Sequence, residues 1–218
     1  MKVLLLLHIM KKEDKKKFKY ALFIPVLFLV ILWIIKIIEY SFEMSFLQYG
    51  VFPKKISGIK GVFLSAFIHK DFNHLLNNSY PILVLGSMLF GFYKEIAFKI
   101  FIYLLLVSGL LLWLIGRPAF HIGASGFIYA LASFLFFSGF IRKNTGLSAI
   151  SFVVIFLYGS MIWGVFPIEK FISWEGHLSG LITGLIMAFI YKDQGPKKTK
   201  YDWEIEEENE AKTTINYN

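Results

Sequence analysis

Ser125, His177, His74 and Asn78 are the side chains of this sequence best suited to chemistry. Ser125 stands in Gly123-Ala124-Ser125-Gly126, at the head of an apolar run. A serine hydroxyl is a poor nucleophile until a base takes its proton, and a histidine titrating near neutral pH is the usual base. Acyl transfer then passes through a tetrahedral intermediate whose oxyanion needs fixed donors. The Ser125 backbone amide, at the positive end of a helix, is one candidate donor. His74 and Asn78, four residues apart and so on one helical face, are the others. Each group also has a plainer reading. Ser125 can be a helix cap, Gly123 and Gly126 packing positions, and His74, Asn77 and Asn78 capping groups close to water.

The elements that must position these groups are membrane helices. Of 218 residues, 56% are hydrophobic and only 17% charged, a balance foreign to a soluble domain of this size. There are no cysteines, which excludes disulfides and thiolate metal sites. A formal charge of +8 invites a nucleic-acid reading, but the lysines fall in clusters flanking apolar runs, as membrane topology requires. Six runs are long enough to cross a bilayer: residues 20–38, 74–92, 98–115, 125–141, 147–165 and 174–191. Pro25 and Pro81 fall near the starts of their runs, where a lost donor is best tolerated. The chain divides into a basic N-terminal segment (1–17), one membrane domain (18–192) and a polar tail (193–218) expected to be disordered. The apolar opening, residues 1–10, lacks a cleavage site and reads as an interfacial segment.

Six lysines between Lys11 and Lys19 place the N-terminus in the cytoplasm, and six spans bring the C-terminus back to the same side. The second, fourth and sixth spans then all enter from outside. His74 and Asn78, Ser125, and His177 therefore reach a similar depth on the external half, from three different helices. Gly180 and Gly184, four apart on the sixth span, form a small-residue face that lets this helix approach a neighbour closely. His8, His69 and His121 fall in loops or at an end and are set aside as non-catalytic. The one charged residue noted within a span is Lys36, near its end, which argues against a small transporter.

The motifs resemble those of a known family. His69-Lys70-Asp71-Phe72-Asn73-His74-Leu75-Leu76-Asn77-Asn78 is similar to the second-helix signature of rhomboid intramembrane serine proteases, Gly123-Ala124-Ser125-Gly126 to their Gly-x-Ser-Gly, and His177 through Gly184 to their sixth-helix motif. The resemblance covers residues 18–192 and implies an all-α membrane protein, a six-transmembrane-helix rhomboid-like bundle. It implies Ser125 as nucleophile and His177 as general base in a dyad without an aspartate. It also implies oxyanion support from His74 and Asn78, Tyr129 stacked on the histidine, and Gly184 packing the sixth helix on the fourth. The site would lie in a water-filled cavity open to the outside of a bacterial cell membrane. Substrates would be transmembrane proteins, cut near their external ends, with no cofactor, metal or nucleic acid involved. One departure stands out: the first external loop, residues 39–73, has neither the Trp nor the Arg that many bacterial rhomboids carry there. A non-catalytic rhomboid-like protein that binds transmembrane helices is the alternative; such relatives typically lack the serine or the histidine.

Overall fold

The computed structural model describes residues 11–142, 144–169 and 172–196. The interfacial segment expected at 1–10 and the tail beyond residue 196 lie outside the described residues. Among the described residues the chain is helical, with seven α-helices joined by short 3-10 turns. These are α1 (Lys12–Ser41), the single turn α2 (Gly61–Leu64), α3 (Phe72–Phe92), α4 (Ala97–Ile115), α5 (Ser125–Ile141), α6 (Thr145–Tyr158) and α7 (Trp174–Ile190).

Three of the helices start where a side chain satisfies a free amide of the first turn. Asp71 accepts from the His74 amide at 2.7 Å, Asn144 from Leu147 at 3.2 Å and Ser173 from Gly176 at 3.2 Å. α1, α3, α4 and the segment Thr145–Val165 are long and apolar enough to cross a bilayer. α5 and α7, at 17 residues each, span only about 25 Å at 1.5 Å per residue. That is short of the roughly 30 Å hydrocarbon core. They are also the most enclosed helices, packed chiefly on each other, with α6 and α3 flanking α5 and α4 touching both. Leu131, Phe134 and Leu135 of α5 are fully enclosed, as are Ser179 and Thr183 of α7.

The contact between α5 and α7 is nearly backbone on backbone. A Cβ at Gly180 would overlap the Gly126 carbonyl and lie 2.9 Å from the Tyr129 Cβ. A Cβ at Gly184 would overlap the Ala130 carbonyl and lie 2.6 Å from the Phe134 amide. The Ser133 hydroxyl donates across the same seam to the Leu181 carbonyl at 2.7 Å.

Two sequence expectations need correction. α1 runs well beyond 20–38 at both ends, so Pro25 lies inside it, buried against Gly86 of α3. Its extension past residue 38 is stabilised by a buried ion pair, Lys36 Nζ to Glu39 Oε2 at 2.8 Å, with the same ammonium donating to the carbonyls of His69 and Lys70. The fifth span does not hold α-geometry to 165; it tightens at Tyr158 into a 3-10 segment, Gly159–Val165. The residues between α1 and α3 form a chain of short turns packed on the bundle. Val51 and His121 exchange backbone hydrogen bonds at 2.9 and 2.8 Å, and the Trp113 indole donates to the Lys55 carbonyl.

Candidate active site

The starts of α3, α5 and α7 converge at one end of the bundle. Ser125 is the first residue of α5, and the cap position belongs to Ala124, with no side-chain cap bond. The plain reading of Ser125 as a capping serine therefore does not hold. Its hydroxyl instead lies 2.9 Å from His177 Nε2. His177 is buried and sits one turn into α7. Its other ring nitrogen, Nδ1, is 2.8 Å from the Gly164 carbonyl. A carbonyl only accepts, so Nδ1 carries the proton and donates, and Nε2 presents its lone pair to the serine hydroxyl. Tyr129, one turn beyond Ser125, stacks flat on the imidazole with centroids 4.2 Å apart and planes 9° from parallel. Its hydroxyl donates to the Met161 carbonyl at 2.6 Å, which fixes the ring.

The turn before Ser125 is shaped by Gly123, whose φ of +100° suits glycine and whose α carbon faces α3. A Cβ there would meet His74 Cε1 at 2.7 Å and Nε2 at 2.8 Å, with Asn78 Nδ2 at 3.7 Å. His74 and Asn78 thus come from one face of α3 to lie beside the serine turn. Asn78 is buried, and its Nδ2 has no hydrogen-bond partner. A buried donor left unpaired costs about 1–3 kcal/mol, so such groups need a reason. The free amides of the first turn of α5 complete a set of donors around one point.

Ser125 also lines a small cavity of about 30 Å³ together with Ser65, Ser108, His121 and Ser173. By volume it has room for roughly two waters, and its walls offer them hydroxyl partners. A wider recess of about 420 Å³ opens over Tyr129 and Gly164, between the 3-10 segment and the residues Ile168, Glu169 and Ile172. Among the described residues no three His, Cys, Asp or Glu side chains gather as metal ligands.

Sequence reasoning passed over several groups that border this site. His69 is 1% exposed; its Nε2 accepts weakly from the Ala124 amide at 3.4 Å and its ring meets that of His74 edge-on at 5.0 Å. Burial, helped by the neighbouring His74, pushes its pKa down to about 3. His121, four residues before Ser125, is also buried, and that burial lowers its pKa against the pull of its bond to the Arg117 carbonyl. Glu175 is a charged residue inside the sixth span that sequence reasoning did not single out, buried and paired with Arg117 at 3.2 Å. No pattern in the sequence pairs residues 58 positions apart. The Gly164 carbonyl has no side-chain signature at all.

A bundle of apolar helices, with polar and titratable side chains gathered where three of them begin, defines a class of membrane-embedded proteins. The comparisons agree: residues 58–194 match the rhomboid domain family. The chain is 34% identical over 175 residues to the uncharacterized protein Mb1372 of Mycobacterium bovis and to Rv1337 of Mycobacterium tuberculosis, covering 75% of this chain and 72% of each relative. It is 31% identical to the uncharacterized protein ML1171 of Mycobacterium leprae, covering 68% of that relative. This chain belongs to the rhomboid family and is an integral membrane protein.

Proposed function

We propose that this protein is an intramembrane serine endopeptidase that cuts transmembrane proteins in or near their membrane segments. The observation that carries the reading is the Ser125–His177 contact at 2.9 Å, with the imidazole tautomer set by the Gly164 carbonyl. In the first step Ser125 Oγ attacks the scissile carbonyl carbon while its proton passes to His177 Nε2. The oxyanion is held by the Ser125 amide and by His74 and Asn78, whose unpartnered Nδ2 gains its bond only then. Collapse breaks the C–N bond, and His177 returns the proton to the leaving amine. Water then attacks the acyl-serine, giving its proton to His177, and the new carboxyl end leaves as Ser125 is regenerated.

Tyr129 acts as the platform that holds the imidazole in plane. Gly180 and Gly184 bring α7 close enough to α5 for the contact to exist. No cofactor enters this scheme. Substrate helices must unwind locally, because their amides are internally bonded, so sequences weakened by Gly or Pro are favoured. The lysine pattern supports cytoplasmic termini and a site facing outward from a bacterial cell membrane. The short α5 and α7 suit a nucleophile sunk beneath that surface, reached by water through the recess above Tyr129.

The test is cleavage of a panel of single-span proteins by the reconstituted protein. Wild type should cleave at least one and Ser125→Ala none, with both equally folded. Cleavage retained by Ser125→Ala overturns the assignment. A wild type that binds such helices without cutting them favours the non-catalytic alternative.

A further inference from the structure

A second serine–histidine contact lies one turn before the first on both strands of the chain. His121 precedes Ser125 by four residues, and Ser173 precedes His177 by four, so the two contacts mirror each other with the partners exchanged. His121 Nδ1 lies 2.6 Å from Ser173 Oγ, and His121 Nε2 lies 3.1 Å from the Arg117 carbonyl. The carbonyl can only accept, so Nε2 carries the proton and the Ser173 hydroxyl donates to Nδ1. The Ser173 oxygen meanwhile accepts from the Gly176 amide and so caps α7. Arg117 reaches across the same gap: Nη1 lies 3.3 and 3.2 Å from the two Glu175 oxygens, and Nη2 donates to the Ile172 carbonyl at 2.9 Å. Glu175 is 3% exposed and sits two residues before His177.

The His121–Ser173 contact, the Arg117–Glu175 ion pair and the Arg117 bond to the Ile172 carbonyl all cross between the segment leading into Ser125 and the segment leading into His177. Below the dyad, α5 and α7 are fixed by glycine contacts at Gly126 and Gly180. Above it, the described chain is irregular on both sides, residues 116–124 and residues 166–169 and 172–173. Without a second tie, the two segments would be held at one end only. We propose that Arg117, His121, Ser173 and Glu175 form a positioning clamp that sets the distance between Ser125 and His177. This rests on the dyad reading above.

A distance-setting clamp acts on reactivity of the serine itself, more than on substrate affinity or on folding. The readout is therefore the rate of Ser125 labelling by a fluorophosphonate probe in the full-length protein in liposomes, alongside kcat, KM and thermal unfolding. His121→Ala should slow labelling and kcat by about 10- to 100-fold, since displacements near 1 Å cost on this scale, with KM nearly unchanged. Ser173→Ala should do the same, Ser173→Thr should recover most of the rate, and the His121→Ala/Ser173→Ala pair should be no worse than either alone. A folded His121→Ala that labels at the wild-type rate overturns the clamp. So does a loss confined to KM, or one that follows the fall in unfolding temperature and is not recovered by Ser173→Thr in its own position. Wild type that takes no label, or label that survives Ser125→Ala, overturns the dyad reading itself and the clamp with it.

Discussion

Replacing Gly180 by alanine separates catalysis from stability in this fold. The new Cβ would lie 2.9 Å from the Tyr129 Cβ and overlap the Gly126 carbonyl. Carbon atoms pack at about 3.5–4.0 Å, so α7 must retreat from α5 by about 1 Å. The Ser125–His177 contact, 2.9 Å at present, then opens to nearly 4 Å, beyond any hydrogen bond. A misplacement of that size costs on the order of 100-fold in rate. The effect on stability is smaller, because overpacking costs about 1–3 kcal/mol while alanine regains up to about 1 kcal/mol of helix propensity. Gly91→Ala is the control, since its Cβ would meet only the Ala21 Cβ at an ordinary 3.6 Å. The assay is turnover of a transmembrane substrate in liposomes, paired with thermal unfolding in detergent. Gly180→Ala should lose about 100-fold in kcat with a modest drop in unfolding temperature, and Gly91→Ala should lose nothing. A Gly180→Ala enzyme with wild-type turnover would refute the claim that this seam sets the dyad distance.

Other perturbations follow from the same geometry. Gly123→Ala combines an unfavourable φ of +100° with a Cβ pressed on His74; it should abolish serine labelling, and unimpaired labelling would remove the need for this turn. Lys36→Met leaves Glu39 buried and unpaired, so it should destabilise by about 3–5 kcal/mol, and Lys36→Met/Glu39→Met should recover part of that in the same unfolding measurement. His69, neutral when folded with a pKa near 3, takes up a proton in the unfolded chain below about 6.5. Its contribution to stability is thus full above pH 6.5 and is lost as the pH falls toward 3, roughly 2–3 kcal/mol of it by pH 4.5. Unfolding temperatures from pH 7.5 to 4.5 should fall less steeply for His69→Gln than for wild type; equal slopes would contradict this.

The helices were legible in the sequence because lipid leaves few options: apolar runs of the right length must be helices, and their lysine flanks mark their ends. Ser125, His177, His74 and Asn78 could be placed at one depth because three alternate spans start at the same end. The boundaries were less legible. α1 passes its expected end because Glu39, a charge that should stop a span, is neutralised by Lys36 one turn earlier. α6 tightens at Gly159 and carries the Met161 and Gly164 carbonyls to Tyr129 and His177. Those contacts belong to the backbone, where residue identity carries no signal. Arg117, His121, Ser173 and Glu175 were invisible for another reason: each looks like an ordinary loop or cap residue until the fold brings 52 to 58 positions of separation to contact.

The carbonyl that orients His177 has a genetic corollary. It belongs to the main chain, so no codon change at position 164 deletes it. A Cβ at that position would collide with the Tyr129 hydroxyl and lie 3.0 Å from His177 Nδ1. A saturation scan would therefore score position 164 as intolerant on steric grounds, and the acceptor itself would leave no trace in the data. Only backbone chemistry can interrogate it: an ester in place of the amide between Gly164 and Val165 weakens that oxygen as an acceptor while leaving every side chain as it is.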